Sequence, residues 1–172
     1  EYMLNVPESY DFEEKEVALE TKTQFELECP VNGEVMPIEE ASDSMFAHKL
    51  MGDGIMIRPC DGVVVAPCDG IISMAYPTKH AIGITIDDNT QILIHFGTDS
   101  AKLNGKGFEL LVKPNQKVNA GDILWNADLT YIKENALDEN IIVVFTKIKD
   151  GAELEKKYGK MQCHDMMLRV KG

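Results

Sequence analysis

Thr78-Lys79-His80-Ala81-Ile82-Gly83-Ile84-Thr85-Ile86-Asp87-Asp88-Asn89-Thr90-Gln91-Ile92-Leu93-Ile94-His95-Phe96-Gly97 holds two β-rich runs around a turn-like sequence, Asp87 to Thr90. Strands over 80–86 and 91–97 can therefore form an antiparallel hairpin. Along the second run, alternation puts Ile92, Ile94 and Phe96 on one face and Leu93 and His95 on the other. Mirroring the hairpin about 88.5 sets position 82 opposite 95 and position 80 opposite 97. His80 and His95 then lie diagonally on neighbouring strands, roughly 7–8 Å apart at the backbone and within side-chain reach. The residues alone leave two readings open: imidazoles converging on one site, or two separate structural histidines. His48, in Met45-Phe46-Ala47-His48-Lys49, and His164, in a polar run near the C-terminus, read as surface residues.

Outward from the hairpin, short β-rich runs alternate with Gly, Asp, Asn and Pro. The strands expected are 33–38, 54–59, 62–67, 70–76, 81–86, 91–96, 123–126, 141–147 and 165–170. Helices are expected after Asp128 (Leu129 to Glu134) and after Asp150 (Ala152 to Lys157), each with an N-cap residue and then helix formers. Pro59-Cys60-Asp61-Gly62-Val63-Val64 is echoed by Pro67-Cys68-Asp69-Gly70-Ile71-Ile72. Asp-Gly suits a tight turn, where glycine tolerates positive φ. Proline suits a strand end, where no amide donor is needed. A third turn, Asn119 to Leu124, resembles the hammerhead-like turns of lipoyl and biotinyl carriers. The pattern predicts an all-β fold, an antiparallel sandwich or barrel with short helices.

The 172 residues fit one domain, and 44% hydrophobic content supports one core. A net charge of −12 disfavours nucleic acid and anionic membrane surfaces as partners. No apolar run reaches the roughly 18–20 residues of a membrane helix, and the opening Glu1-Tyr2-Met3-Leu4-Asn5 has no signal-peptide pattern. Residues 1–28 hold nine acids against Lys15 and Lys22, over half of the charge imbalance. They read as an acidic tail or interdomain linker, with a packed arm as the alternative, ahead of a domain over 29–172. Cys29, Cys60, Cys68 and Cys163 form no Cys-x-x-Cys pair and read as reduced thiols of a cytoplasmic protein.

Five motifs then appear in order: Gly52-Asp53-Gly54, Pro67-x-x-Gly70, Pro77-Thr78-Lys79-His80-Ala81-Ile82-Gly83, Ile92-Leu93-Ile94-His95-Phe96-Gly97-x-Asp99, and Leu103-x-Gly105-x-Gly107-Phe108. From about Cys29 to the C-terminus the chain closely resembles the glucose-type enzyme IIA domain of the bacterial phosphoenolpyruvate-dependent sugar phosphotransferase system. The resemblance implies a β-sandwich of the duplicated hybrid motif type. It implies a phosphoryl carrier that needs no cofactor, charged by the carrier protein HPr and discharged onto a cysteine of a IIB domain. It makes His95 the phosphorylated nucleophile, His80 its partner, Thr78 the hydroxyl that steadies His80, and Asp99 the acid beside the site. It places Met45, Phe46, Met51, Tyr76, Leu93 and Ala101 in an apolar collar that meets partner proteins. It also makes the acidic opening suit a linker cut from a larger, membrane-bound permease.

The chain departs from the family pattern after the histidine, where the usual Ile-Asp-Thr-Val reads Thr98-Asp99-Ser100-Ala101. Three alternatives compete. A zinc hydrolase of related β-scaffold needs a His-x-His pair that Ile94-His95-Phe96-Gly97 lacks, although His80 and His95 could hold an opportunistic zinc with help from a partner carboxylate. A lipoyl or biotinyl carrier needs a differently flanked hairpin lysine than Lys79. A regulatory domain that keeps the fold and senses without transferring retains every residue above.

Overall fold

The computed structural model describes residues 24–172. The hairpin forms from two strands that become β6 (Ala81–Asp87) and β7 (Thr90–Thr98) in chain order. Asp87 pairs with Thr90, so the mirror point at the turn is the one expected. A bulge between Thr85 and Asp87 then takes Ile86 out of the ladder and shifts the register by one. Beyond it, Ala81 rather than Ile82 lies opposite His95. This corrects the diagonal placement of the two histidines.

The remaining strands are β1 (Gln24–Glu28), β2 (Gly33–Pro37), β3 (Gly54–Pro59), β4 (Val63–Val65), β5 (Gly70–Ala75), β8 (Phe108–Leu110), β9 (Lys117–Val118), β10 (Ile123–Ala127), β11 (Asp138–Lys147), β12 (Glu153–Lys156), β13 (Gly159–Met161) and β14 (Met166–Lys171). Among the described residues, two short helices, α1 (Ser44–Ala47) and α2 (Leu129–Asn135), and two 3-10 turns, η1 (Ile38–Glu40) and η2 (Ala101–Leu103), interrupt them. An eight-stranded sheet runs β13-β2-β3-β11-β7-β6-β5-β9, beside two three-stranded sheets, β1-β14-β12 and β4-β10-β8. Every strand pairing is antiparallel. The result is sandwich-like sheets with few helices, as expected, and not a closed barrel.

Alternation along the central strands sorts side chains into two cores. Ile55, Ile57, Ile82, Ile84, Ile92, Ile94, Phe96, Ile141 and Val143 join residues of the two small sheets in the main core. Met56, Ala81, Leu93, Ile142 and Val144, from the alternate positions, form a second cluster with Ile38 and Phe46. Those last two come from η1 and α1, so these short turns cap the outer face of the large sheet. Asp43 starts α1 by accepting a hydrogen bond from the Met45 amide at 2.8 Å.

The sequence echo marks places where the chain changes sheets. The first copy carries it from β3 in the large sheet to β4 in a small one, and the second carries it back to β5. Gly62 and Gly70 do not adopt the positive φ expected of them; Gly121 in the third turn does, at 95°. Close approach explains Gly62 instead, since a Cβ there would lie 1.9 Å from the Ala127 carbonyl oxygen.

The helix expected after Asp128 forms as α2, with the Asp128 side chain accepting from the Tyr131 amide. The helix expected over 152–157 does not. Glu153–Lys156 is strand β12, with Leu154 opposite Val170 and Glu155 opposite Arg169 on β14. Helix-forming residues here yield to sheet pairing, and a run this short has little helical stability of its own. Of the acidic opening stretch, 1–23 lies outside the described residues, and its last five residues form β1 against β14. No disulfide joins the four cysteines. No helix among the described residues is long and apolar enough to cross a membrane.

Gly62→Ala should lower the unfolding free energy by about 1–3 kcal/mol, because the new methyl group meets backbone and not a yielding side chain. Denaturant unfolding measures this, and an unchanged midpoint would contradict the close approach.

Candidate functional site

His95 projects from the outer face of β7, between Ala81 on β6 and Ile142 on β11, with Leu93 two residues before it. In the observed register His80 lies opposite Phe96, whose amide donates to the His80 carbonyl at 2.7 Å. Alternation alone would turn His80 away from His95. However, His80 lies just outside β6 and follows Lys79, which has a left-handed φ of 63°. A tight turn sets this geometry: the Lys79 amide donates to the Tyr76 carbonyl at 2.8 Å, and the Tyr76 amide to the Ala81 carbonyl at 3.0 Å. From beneath, the buried Trp125 indole N–H donates to the Lys79 carbonyl at 2.7 Å.

The two imidazoles therefore do converge, with ring centres 4.9 Å apart at an interplanar angle of 83°. Phe46 lies 5.1 Å from His95, and Tyr76 lies 5.2 Å from His80, giving a continuous row of four rings. Thr78 Oγ1 lies 2.7 Å from His80 Nδ1, which fixes that ring in orientation. His80 is only 4% exposed, and burial lowers its pKa.

Burial, followed by the neighbouring His80, pushes His95 down to about 4, with Asp43 and Asp138 pulling the other way. At neutral pH the ring is uncharged and keeps a nucleophilic lone pair. His95 Nδ1 is buried, and a backbone hydrogen bond with Gly97 also favours the protonated ring, which leaves Nε2 as the nitrogen a second molecule can reach.

Asp99 lies in the turn leaving β7, with φ of 56°, and pairs with Lys102 at 3.2 Å. The departures after His95 have a structural role. Ser100 is fully buried, and its hydroxyl donates to the Phe96 and Gly97 carbonyls at 2.7 and 3.1 Å. Gly97 needs its φ of 84°, and a Cβ there would meet Ser100 Cβ at 2.9 Å. Of the collar residues, Met45, Tyr76 and Ala101 are exposed and Met51 is half-buried. Phe46 and Leu93 belong to the outer cluster and form its floor.

Sequence reading passed over Asp43 and Asp138, the two carboxylates whose charge reaches His95. Asp43 was legible as an N-cap before Ser44-Met45-Phe46. Asp138 had no local signal. Among the described residues, no group of three or more His, Cys, Asp or Glu side chains is placed to hold a metal ion.

Residues 25–151 match the model of the phosphoenolpyruvate-dependent sugar phosphotransferase system EIIA 1 family. Over 144 residues, 83% of this chain, it is 45% identical to the glucose-specific EIICBA component of the phosphotransferase system of Staphylococcus carnosus. The chain spans about a fifth of that relative's length, 21%. The fold is similar to the glucose permease IIA of Mycoplasma capricolum, with a TM-score of 0.82 and 32% identity over 86% of this chain and 96% of that one. The chain belongs to the EIIA 1 family of the phosphoenolpyruvate-dependent sugar phosphotransferase system.

His95 should titrate with a midpoint near 4, followed by NMR of its Cε1–H. The folded value lies below the ordinary 6.5, so the unfolded chain takes the proton first. Relative to a His95→Gln variant, stability should therefore be complete above about pH 6.5 and fall as pH drops towards 4. A midpoint at 6.5 would contradict the buried environment.

Proposed function

We propose that this chain accepts a phosphoryl group from phospho-HPr on His95 Nε2 and passes it to a cysteine of a IIB domain, within sugar uptake and phosphorylation. The observation that carries the reading is the pair of imidazole rings 4.9 Å apart, one with a reachable Nε2 and the other held through Nδ1 by Thr78.

The neutral His95 Nε2 lone pair forms the new N–P bond as the bond from phosphorus to the donor's histidine nitrogen breaks. The Nδ1 proton stays in place. Transfer passes through a loose transition state, so the site has little to do beyond aligning the nitrogens and stabilising charge on the equatorial oxygens. The acceptor nitrogen must come within about 3–3.5 Å of the phosphorus, in line with its bond to the donor nitrogen. A histidine at the surface of a sheet, ringed by low exposed side chains, permits that approach. If Thr78 donates its hydroxyl proton to His80 Nδ1, His80 carries its own proton on Nε2 and can donate it to a phosphoryl oxygen.

Met45, Tyr76, Met51 and Ala101 supply an apolar rim that excludes water and accepts more than one partner, with Phe46 and Leu93 supporting it from below. Asp99 stands at the edge of the site, where a basic partner group would meet it. The long acidic stretch ahead of β1 suits a linker within a fused, membrane-tethered permease, which would keep this domain on the cytoplasmic side.

Incubation with phosphoenolpyruvate, enzyme I and HPr should yield one acid-labile, base-stable phosphoryl adduct by intact mass. His95→Ala should abolish it. His80→Gln should leave the adduct and slow onward transfer to IIB on the order of 100-fold. Phosphoryl uptake by the His95 variant would overturn the assignment.

A further inference from the structure

Asp138 opens β11 immediately before a bulge, since it pairs with Thr98 while the next regular pair is Ile141 with Phe96. Its carboxylate is fully engaged. Oδ1 accepts from the Thr98 hydroxyl at 2.7 Å and from the Asn140 amide at 3.0 Å. Oδ2 accepts from the Ser42 hydroxyl at 3.0 Å. The Leu137 amide adds a backbone bond to the Thr98 carbonyl at 3.0 Å.

These contacts join three segments that surround His95: the end of β7, the start of β11 and the loop leading into α1. Thr98 ends β7, three residues past His95. Ser42 lies next to Asp43, the cap of α1, and α1 carries the Phe46 ring that packs on His95. Asp138 holds the bulged start of the third, β11, whose Ile142 flanks His95 on the other side. Hydrogen bonds to a carboxylate are among the stronger ones, and both oxygens are used here.

The Thr98 departure from the family pattern also gains a reason. Isoleucine there could not donate to Asp138, whereas threonine does.

We propose that Asp138 is a positioning residue for His95, clamping the end of β7 to the loop that seats Phe46. It does not touch the reacting atoms. It fixes the two walls between which the imidazole is aimed. The proposal rests on the phosphoryl-carrier reading for its kinetic consequence and on the hydrogen bonds alone for its structural one.

Single-turnover phosphorylation by phospho-HPr and the NMR resonance of His95 Cε1–H, which senses the ring current of Phe46, test it together. Asp138→Ala should slow phosphorylation about tenfold or more with donor affinity unchanged, and should shift the His95 resonance. Asp138→Asn, which keeps an acceptor for Thr98, should recover most of the rate. Ser42→Ala combined with Thr98→Val removes the same hydroxyl bonds and should reproduce the slowing, including where Asp138→Ala fails to fold. An unmoved His95 resonance, or an unchanged rate, in the folded variants overturns the proposal. If the unmodified chain takes no phosphoryl group, the carrier reading fails, while the resonance still decides whether the clamp exists.

Discussion

Strand β7 is buried on its inner face and only partly covered on its outer one, and the site follows from that constraint. Ile92, Ile94 and Phe96 fill the main core, so Leu93 and His95 must face the other way. The outer face is covered only in part, by the short turns η1 and α1. His95 therefore stands where a packed sheet surface meets solvent. Its backbone is held by ladders to β6 and β11, and its ring is boxed by Phe46 and His80. An imidazole on a central strand has little freedom to drift, which suits the alignment that the proposed transfer needs.

The electrostatics follow from the same burial. An imidazole kept out of water and beside a second imidazole resists protonation. That keeps it nucleophilic at neutral pH. Asp43 and Asp138 moderate the effect from the two walls of the site. His80 is held by Thr78 on one side and by the edge of Tyr76, and the turn beneath it is anchored by Trp125 on β10. The turn that carries the second histidine is thus braced by a small sheet as well as by β7, while the first histidine stands on the large sheet alone. The site lies where these two supports meet.

Much of the architecture was legible because the central strands alternate cleanly. The faces of β7 and most strand positions follow from period two alone. What escaped was set by tertiary contact. Leu154 with its charged neighbours has helix-forming composition, and only the partner strand β14 makes it β12. Phe25 and Leu27 were hidden among acids, yet they pair with Val170 and Leu168. The bulge at Ile86 has no sequence signature, so the hairpin register was off by one. The histidines met all the same, because the left-handed Lys79 turn frees His80 from the alternation of the strand. Asp138 was invisible for a related reason: its side-chain partners, Thr98 and Ser42, lie 40 and 96 residues away.

The most direct measurement concerns which atom takes the phosphoryl group in the proposed transfer. Long-range nitrogen NMR of the phosphorylated chain distinguishes the two nitrogens of each imidazole. The buried Nδ1 and reachable Nε2 of His95 predict a single phosphorus–nitrogen bond at His95 Nε2, with His80 unmodified. A phosphoryl group on His95 Nδ1, or on His80, would contradict the account.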